Sequence, residues 1–111
     1  MDIAMTGYFS FANTAKIYKN DGNGKFTDIG VNILGSGYGS IAWGDCDNDG
    51  YLDLATATNS GVRIYKNNGN GVFADMNANL TSAYAPIAWG DYDNDGDIDL
   101  LAGKTVYRND T

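Results

Sequence analysis

Trp43-Gly44-Asp45-Cys46-Asp47-Asn48-Asp49-Gly50-Tyr51-Leu52-Asp53-Leu54 returns, 46 residues on, as Trp89-Gly90-Asp91-Tyr92-Asp93-Asn94-Asp95-Gly96-Asp97-Ile98-Asp99-Leu100. In each copy carboxylates stand at loop positions 1, 3, 5 and 9, with a glycine at position 6. Oxygen ligands at alternate positions of a tight turn suit calcium, a hard cation that takes about 6–8 oxygens. Glycine permits the turn because it enters the left-handed region without steric cost. The expected ligands are Asp45, Asp47, Asp49, the Tyr51 carbonyl and Asp53 in one loop, and Asp91, Asp93, Asp95, the Asp97 carbonyl and Asp99 in the other. Position 12, where an EF-hand carries Glu, holds Thr56 and Ala102, and strand-like Leu-Asp-Leu and Ile-Asp-Leu follow each loop in place of a helix. Magnesium, which demands near-octahedral geometry and keeps its waters, fits a four-carboxylate set less well.

Working outward, Lys16-Ile17-Tyr18-Lys19-Asn20-Asp21-Gly22-Asn23-Gly24-Lys25-Phe26 recurs as Arg63-Ile64-Tyr65-Lys66-Asn67-Asn68-Gly69-Asn70-Gly71-Val72-Phe73. Two short strands around an Asn/Asp-Gly-Asn-Gly turn read as a β-hairpin. Ser40-Ile41-Ala42-Trp43 and Pro86-Ile87-Ala88-Trp89 feed the acidic loops, and Met1-Asp2-Ile3-Ala4 matches Leu52-Asp53-Leu54-Ala55. With strands named A and B on either side of the loop and C and D in the hairpin, the chain reads B-C-D, A-B-C-D, A-B-C. A spacer through Phe9 and Phe11 separates the first B and C. Ten strands and no helical apolar period are expected.

A four-strand unit repeating every 46 residues or so is the pattern of a β-propeller blade. The expected fold is therefore all-β, with four-stranded antiparallel blades and D-x-D-x-D-G calcium loops between strands A and B. Residues 1–39 form a partial blade, 40–85 a full one and 86–111 a second partial one.

The net charge of −7 comes from fourteen acidic residues, all Asp, against seven Lys plus Arg. Nine of those Asp lie in the two loops, so two calcium ions would cancel four charges. Nothing offers the basic stripe that nucleic acid needs. The absence of histidine removes the commonest general base and most zinc sites. Outside the loops and Asp2, only Asp21, Asp28, Asp75 and Asp110 remain for acid–base work, with no recognisable cleft, and no enzymatic activity is expected. No apolar run reaches the roughly 18 residues of a membrane span. Cys46, the single cysteine, is expected as a surface thiol turned away from the metal.

The joint pattern Trp-Gly-Asp-x-Asp-Asn-Asp-Gly-x-x-Asp-Leu and Ile-Tyr-Lys-Asn-x-Gly-Asn-Gly-x-Phe resembles the FG-GAP/VCBS repeat family of integrin-α-like β-propellers. Ala85-Pro86 is similar to the end of that family's Gly-Ala-Pro element, from which Gly39-Ser40 departs. The resemblance implies a ring of about seven blades, calcium in the A–B loops, and an extracellular or cell-surface setting. It also implies adhesion or carbohydrate binding, or a non-catalytic part in a larger enzyme. Tyr38, Tyr84, Trp43 and Trp89 are aromatics available for sugar stacking, although both Trp read first as packing between blades. Rings close with about 4–8 blades, so the missing blades are expected from further copies, a dimer supplying about six, or from the remainder of a longer propeller.

Overall fold

Asp53-Leu54-Ala55-Thr56-Ala57-Thr58 and Asp99-Leu100-Leu101-Ala102 are short runs of apolar and small side chains, and both are strands, whose successive residues face opposite sides of a sheet. A computed structural model of the chain describes residues 2–9, 12–31, 33, 39–58, 61–78, 80, 81 and 85–110. These hold ten strands and no helix: β1 (Ile3–Phe9), β2 (Ala12–Asn20), β3 (Phe26–Asp28), β4 (Ser40–Gly44), β5 (Asp53–Thr58), β6 (Gly61–Asn67), β7 (Phe73–Asp75), β8 (Ile87–Gly90), β9 (Asp99–Ala102) and β10 (Thr105–Tyr107).

The strands form three antiparallel meanders, β1-β2-β3, β4-β5-β6-β7 and β8-β9-β10. Register repeats from sheet to sheet. Ile3 faces Tyr18, Leu54 faces Tyr65 and Leu100 faces Tyr107, so each strand B meets its strand C at the same rung. The hairpin turns follow their composition. Gly22, Asn23 and Gly24 have φ of 79°, 54° and 75°, and the Asn20 side chain accepts the Gly22 N–H at 2.9 Å. After strand D the chain returns across strand C, bridging Ala15 to Ile33 and Val62 to Leu80. Gly61 is required there, because a Cβ would come within 2.4 Å of the Leu80 carbonyl oxygen.

The stretch read as a spacer is largely strand. β1 runs to Phe9 and β2 resumes at Ala12, and the ladder continues through Gly7–Thr14 and Tyr8–Asn13 to pair Phe9 with Ala12, farther than the B–C ladder of the central sheet, which ends at Thr58–Gly61. Phe11 lies outside the described residues.

The core occupies the two inter-sheet layers. Ile17, Ala15 and Ile33 of the first repeat pack on Leu54 and Tyr65 of the central sheet, joined by Trp43, whose ring centroid is 6.0 Å from that of Phe73. Ala55, Ala57, Val62 and Ile64 pack on Leu100 and Ala102 across the opposite face, joined by Trp89. Both tryptophans are thus packing between sheets, as expected, and Trp89 Nε1 donates to the Ala42 carbonyl at 3.2 Å. Tyr38 and Tyr84 lie outside the described residues.

The central sheet is covered on both faces and the flanking sheets on one. Ala55 is 0 % exposed whereas its counterpart Leu101 is 45 % exposed, and Ile64 at 9 % compares with Val106 at 47 %. On the other side Thr56 is 1 % exposed and its counterpart Met5 48 %. The outer faces therefore repeat chemistry that the central sheet buries.

Candidate metal centre

Each acidic loop is a strap between two antiparallel strands, β4 to β5 and β8 to β9. Positions 4 and 6 take left-handed backbone in both: Asn48 and Gly50 at φ of 58° and 91°, Asn94 and Gly96 at 59° and 95°. Asn tolerates this region better than most side chains, which accounts for Asn-Asp-Gly in place of a single glycine. The Asp45 carboxylate accepts the N–H groups of Asp49 and Gly50 at 3.1 and 2.9 Å, and Asp91 accepts those of Asp95 and Gly96 at the same two distances. Position 5 accepts the N–H of position 7, Asp49 from Tyr51 and Asp95 from Asp97.

This bracing turns the carboxylates together. Asp91, Asp93, Asp95 and Asp99 each bring an oxygen within 4.8 Å of the others, as do Asp45, Asp47 and Asp49. Asp53 stands outside its group. Its buried carboxylate accepts from the Cys46 N–H and thiol at 3.1 and 3.2 Å and from the Asn67 N–H at 2.8 Å. Asp99 makes the same backbone bonds, to Tyr92 at 3.2 Å and Asn109 at 2.7 Å, while staying within its cluster.

Two features escaped the sequence reading. Asn67, at the end of strand C, and Asn109, two residues beyond its own, clamp the loops: besides the backbone bonds to Asp53 and Asp99, their side-chain amides donate to the carbonyls of Leu52 and Ile98, both at 3.0 Å. The cations beside them face the carboxylates. Lys66 pairs with Asp47, and with Asp49 at 2.6 Å, while Arg108 lies 3.3 Å from Asp93 and 2.8 Å from Asp110. The recurrence of Tyr-Lys/Arg-Asn at 18–20, 65–67 and 107–109 was the available signal.

The electrostatics differ between the loops. Hydrogen bonds to Asp47 and Asp49 hold the Lys66 ammonium above the ordinary lysine range, and the same contact, with the Tyr51 N–H, depresses Asp49. In the second loop partial desolvation and then the charges of Asp95 and Asp99 push Asp93 up, because Arg108 only partly offsets them. One oxygen of the first group, Asp47 Oδ1, is buried with no hydrogen-bond partner. An orphaned carboxylate oxygen within an all-oxygen donor set is the chemistry that a hard divalent cation satisfies.

Cys46 departs from expectation. It is 5 % exposed, because its N–H and thiol both turn back onto Asp53, and its sulfur lies 3.9 Å from that of Met76. Burial, and then the Asp53 carboxylate, push the thiol up to about 12. The four Asp considered for acid–base work are engaged on the surface: Asp28 with Lys16 at 3.0 Å, Asp75 with Arg63 at 2.8 Å, Asp110 with Arg108, and Asp21 with the Thr27 hydroxyl.

Among the described residues no helix is long and apolar enough to cross a membrane. A groove of about 620 Å³ runs between the first and central sheets, lined by Asp2, Lys19, Tyr51, Asn67, Asn70 and Phe73. Tyr51 is 49 % exposed, and its ring lies on Gly69, where a Cβ would meet it at 2.6 Å.

No curated protein and no solved structure matches the chain. The FG-GAP-like repeat model matches twice, over residues 1–56 and 45–102. With three antiparallel sheets in blade-like succession and a repeat match spanning nearly its whole length, the chain belongs to the FG-GAP-like repeat family.

Proposed function

We propose that the chain is a calcium-stabilised segment of a β-propeller that serves as a non-catalytic, extracellular binding module. The observation that supports this reading is the pair of carboxylate groups, Asp45, Asp47 and Asp49 and Asp91, Asp93, Asp95 and Asp99, each converging within 4.8 Å. Asp53, which lies outside the first group and holds Cys46 and Asn67, would have to turn one oxygen toward the ion, and the Tyr51 and Asp97 carbonyls would each add a backbone oxygen. Calcium supplies the positive charge that lets these side chains share a site, so its binding is coupled to forming the A–B strand pair. The engagement of Asp21, Asp28, Asp75 and Asp110 in surface contacts supports a non-catalytic role. Titration of the metal-stripped chain with calcium in a calorimeter is expected to give two ions per chain, and an absence of heat at millimolar calcium would contradict the assignment.

The ligand class is a glycan or a cell-surface protein. The exposed Tyr51 ring, bordered by Asn67, Asn70, Asp2 and Lys19, offers the aromatic face and hydrogen-bonding rim that a sugar uses. The ring of blades is completed by other copies of the chain or by further blades of a longer propeller, which cover Leu101 and Val106 on one side and Met5 on the other. Glycan-array retention with the calcium-loaded chain and its Tyr51→Ala variant tests the ligand, and solution mass by light scattering tests the assembly.

The ion pairs of Lys66 and Arg108 favour a second reading, in which the loops are closed by internal cations without metal. The charge count favours calcium: one lysine faces three clustered carboxylates in the first loop, and one arginine faces four in the second.

A further inference from the structure

Resting on the calcium reading above, we infer that the two loops bind their ions cooperatively, through a bridge made by Asn48, Asp97 and Asn109. Three contacts tie the loops. Asn48, at position 4 of the first loop, donates its side-chain N–H to the carboxylate of Asp97, position 7 of the second, at 2.6 Å. The Asn109 side-chain amide donates to the Cys46 carbonyl of the first loop at 2.5 Å and to the Ile98 carbonyl of the second at 3.0 Å. Gly44, which precedes the first loop, is packed so tightly that a Cβ would meet Trp89 at 2.6 Å and Ile98 at 2.8 Å.

These contacts fall on the parts of each loop that an ion must order. Asp97 would hold the second ion through its carbonyl, and Ile98 is its neighbour. Cys46 lies between ligands Asp45 and Asp47, and Asn48 between Asp47 and Asp49. Ordering the second loop therefore places the partners that hold the first, and the second binding event loses less conformational freedom than the first. Electrostatics acts the other way, since one bound dication lowers the negative potential that attracts the next. That term is screened within about 8 Å at physiological salt, whereas the direct contacts are not. Coupling by contact is expected to dominate, raising the affinity of the second ion about 5-fold or more.

The test is calcium titration of the full chain at physiological salt, followed by the amide resonances of Gly50 and Gly96. Each reports one loop, because these N–H groups donate to Asp45 and Asp91, both at 2.9 Å. The expected result is coincident midpoints with isotherms steeper than single-site binding. In Asn48→Gly/Asn109→Ala, where glycine keeps the left-handed turn, both loops still bind, the second more weakly because Asn109 also holds the Ile98 carbonyl, and each isotherm flattens to single-site steepness. Should the double variant fail to fold, the exposed change Asn48→Gly alone, which keeps the left-handed backbone, is expected to flatten them in part. Linkage adds a second readout: Asp93→Ala should weaken the first loop by the same factor by which Asp47→Ala weakens the second. Two independent hyperbolic isotherms in the unaltered chain, unchanged in the variant, would overturn the coupling and leave the calcium assignment standing. No response at either glycine would overturn both.

Discussion

The backbone N–H of Asn67 donates to the carboxylate of Asp53 at 2.8 Å, and the same bond joins Asn109 to Asp99 at 2.7 Å and Asn20 to Asp2 at 2.9 Å. Asp53 and Asp99, and Asp2 at the matching position of the first sheet, are thereby fastened to strand C of their own sheet or, at Asn109, to the chain just beyond it. Asp53 is 0 % exposed and receives three donors, so Asp53→Ala leaves buried N–H groups without acceptors. A loss of about 3 kcal/mol is expected, at about 1–3 kcal/mol for each unsatisfied buried group with partial relaxation. Urea unfolding in excess chelator isolates this clamp from any metal contribution.

Lys66 pairs with Asp47 and Asp49, so a cation held there, as proposed above, would have to displace it. Removing its charge while keeping its stem, as in Lys66→Met, should tighten calcium binding at the first loop and lower stability when calcium is withheld. The first loop's isotherm, followed at Gly50, provides the check. Unchanged affinity would indicate that Lys66 swings clear at no cost.

The inner and outer faces of the sheets should respond differently. Leu54 is 1 % exposed between the first and central sheets, and Leu54→Ala is expected to cost about 2–5 kcal/mol. Leu101→Lys, on the outer face, should barely alter unfolding of the isolated chain but reduce the self-association proposed above, read in sedimentation experiments. Comparable destabilisation at both sites would contradict the open-face reading.

Asp28 carries a pH signature that lies away from the loops. The Gly30 N–H, and then the Lys16 ammonium, hold its carboxyl below the ordinary range. A depressed carboxyl contributes stability that is present above its unfolded pKa and is lost as pH falls through the folded value. Carbon-detected titration should place the Asp28 midpoint below that of an unstructured aspartate, and Lys16→Met should raise it.

Much of this architecture was legible because local chemistry repeats. The D-x-D-N-D-G spacing located both loops, and the Asn-Gly turns located the hairpins that follow them. What was not legible depends on neighbours that only the fold supplies. Cys46 reads as a surface thiol at a loop position flanked by acids, yet its thiol and N–H find Asp53 seven residues away once β4 and β5 pair. The clamp made by Asn67 and Asn109 needs the B–C register, and the link from Asn48 to Asp97 needs two sheets stacked face to face. Phe9 and Ala12 look like spacer because no later repeat extends its strands so far.

The most direct test of the central claim is the melting temperature of the chain in millimolar calcium against excess chelator, with Asp47→Ala and Asp93→Ala alongside. A ligand at about 1,000 times its dissociation constant stabilises by about 4 kcal/mol per site. Calcium should therefore raise the melting temperature of the unaltered chain by ten degrees or more, on the order of 4 °C for each kcal/mol, and each variant should lose a large part of that gain. Identical melting with and without chelator would contradict the account.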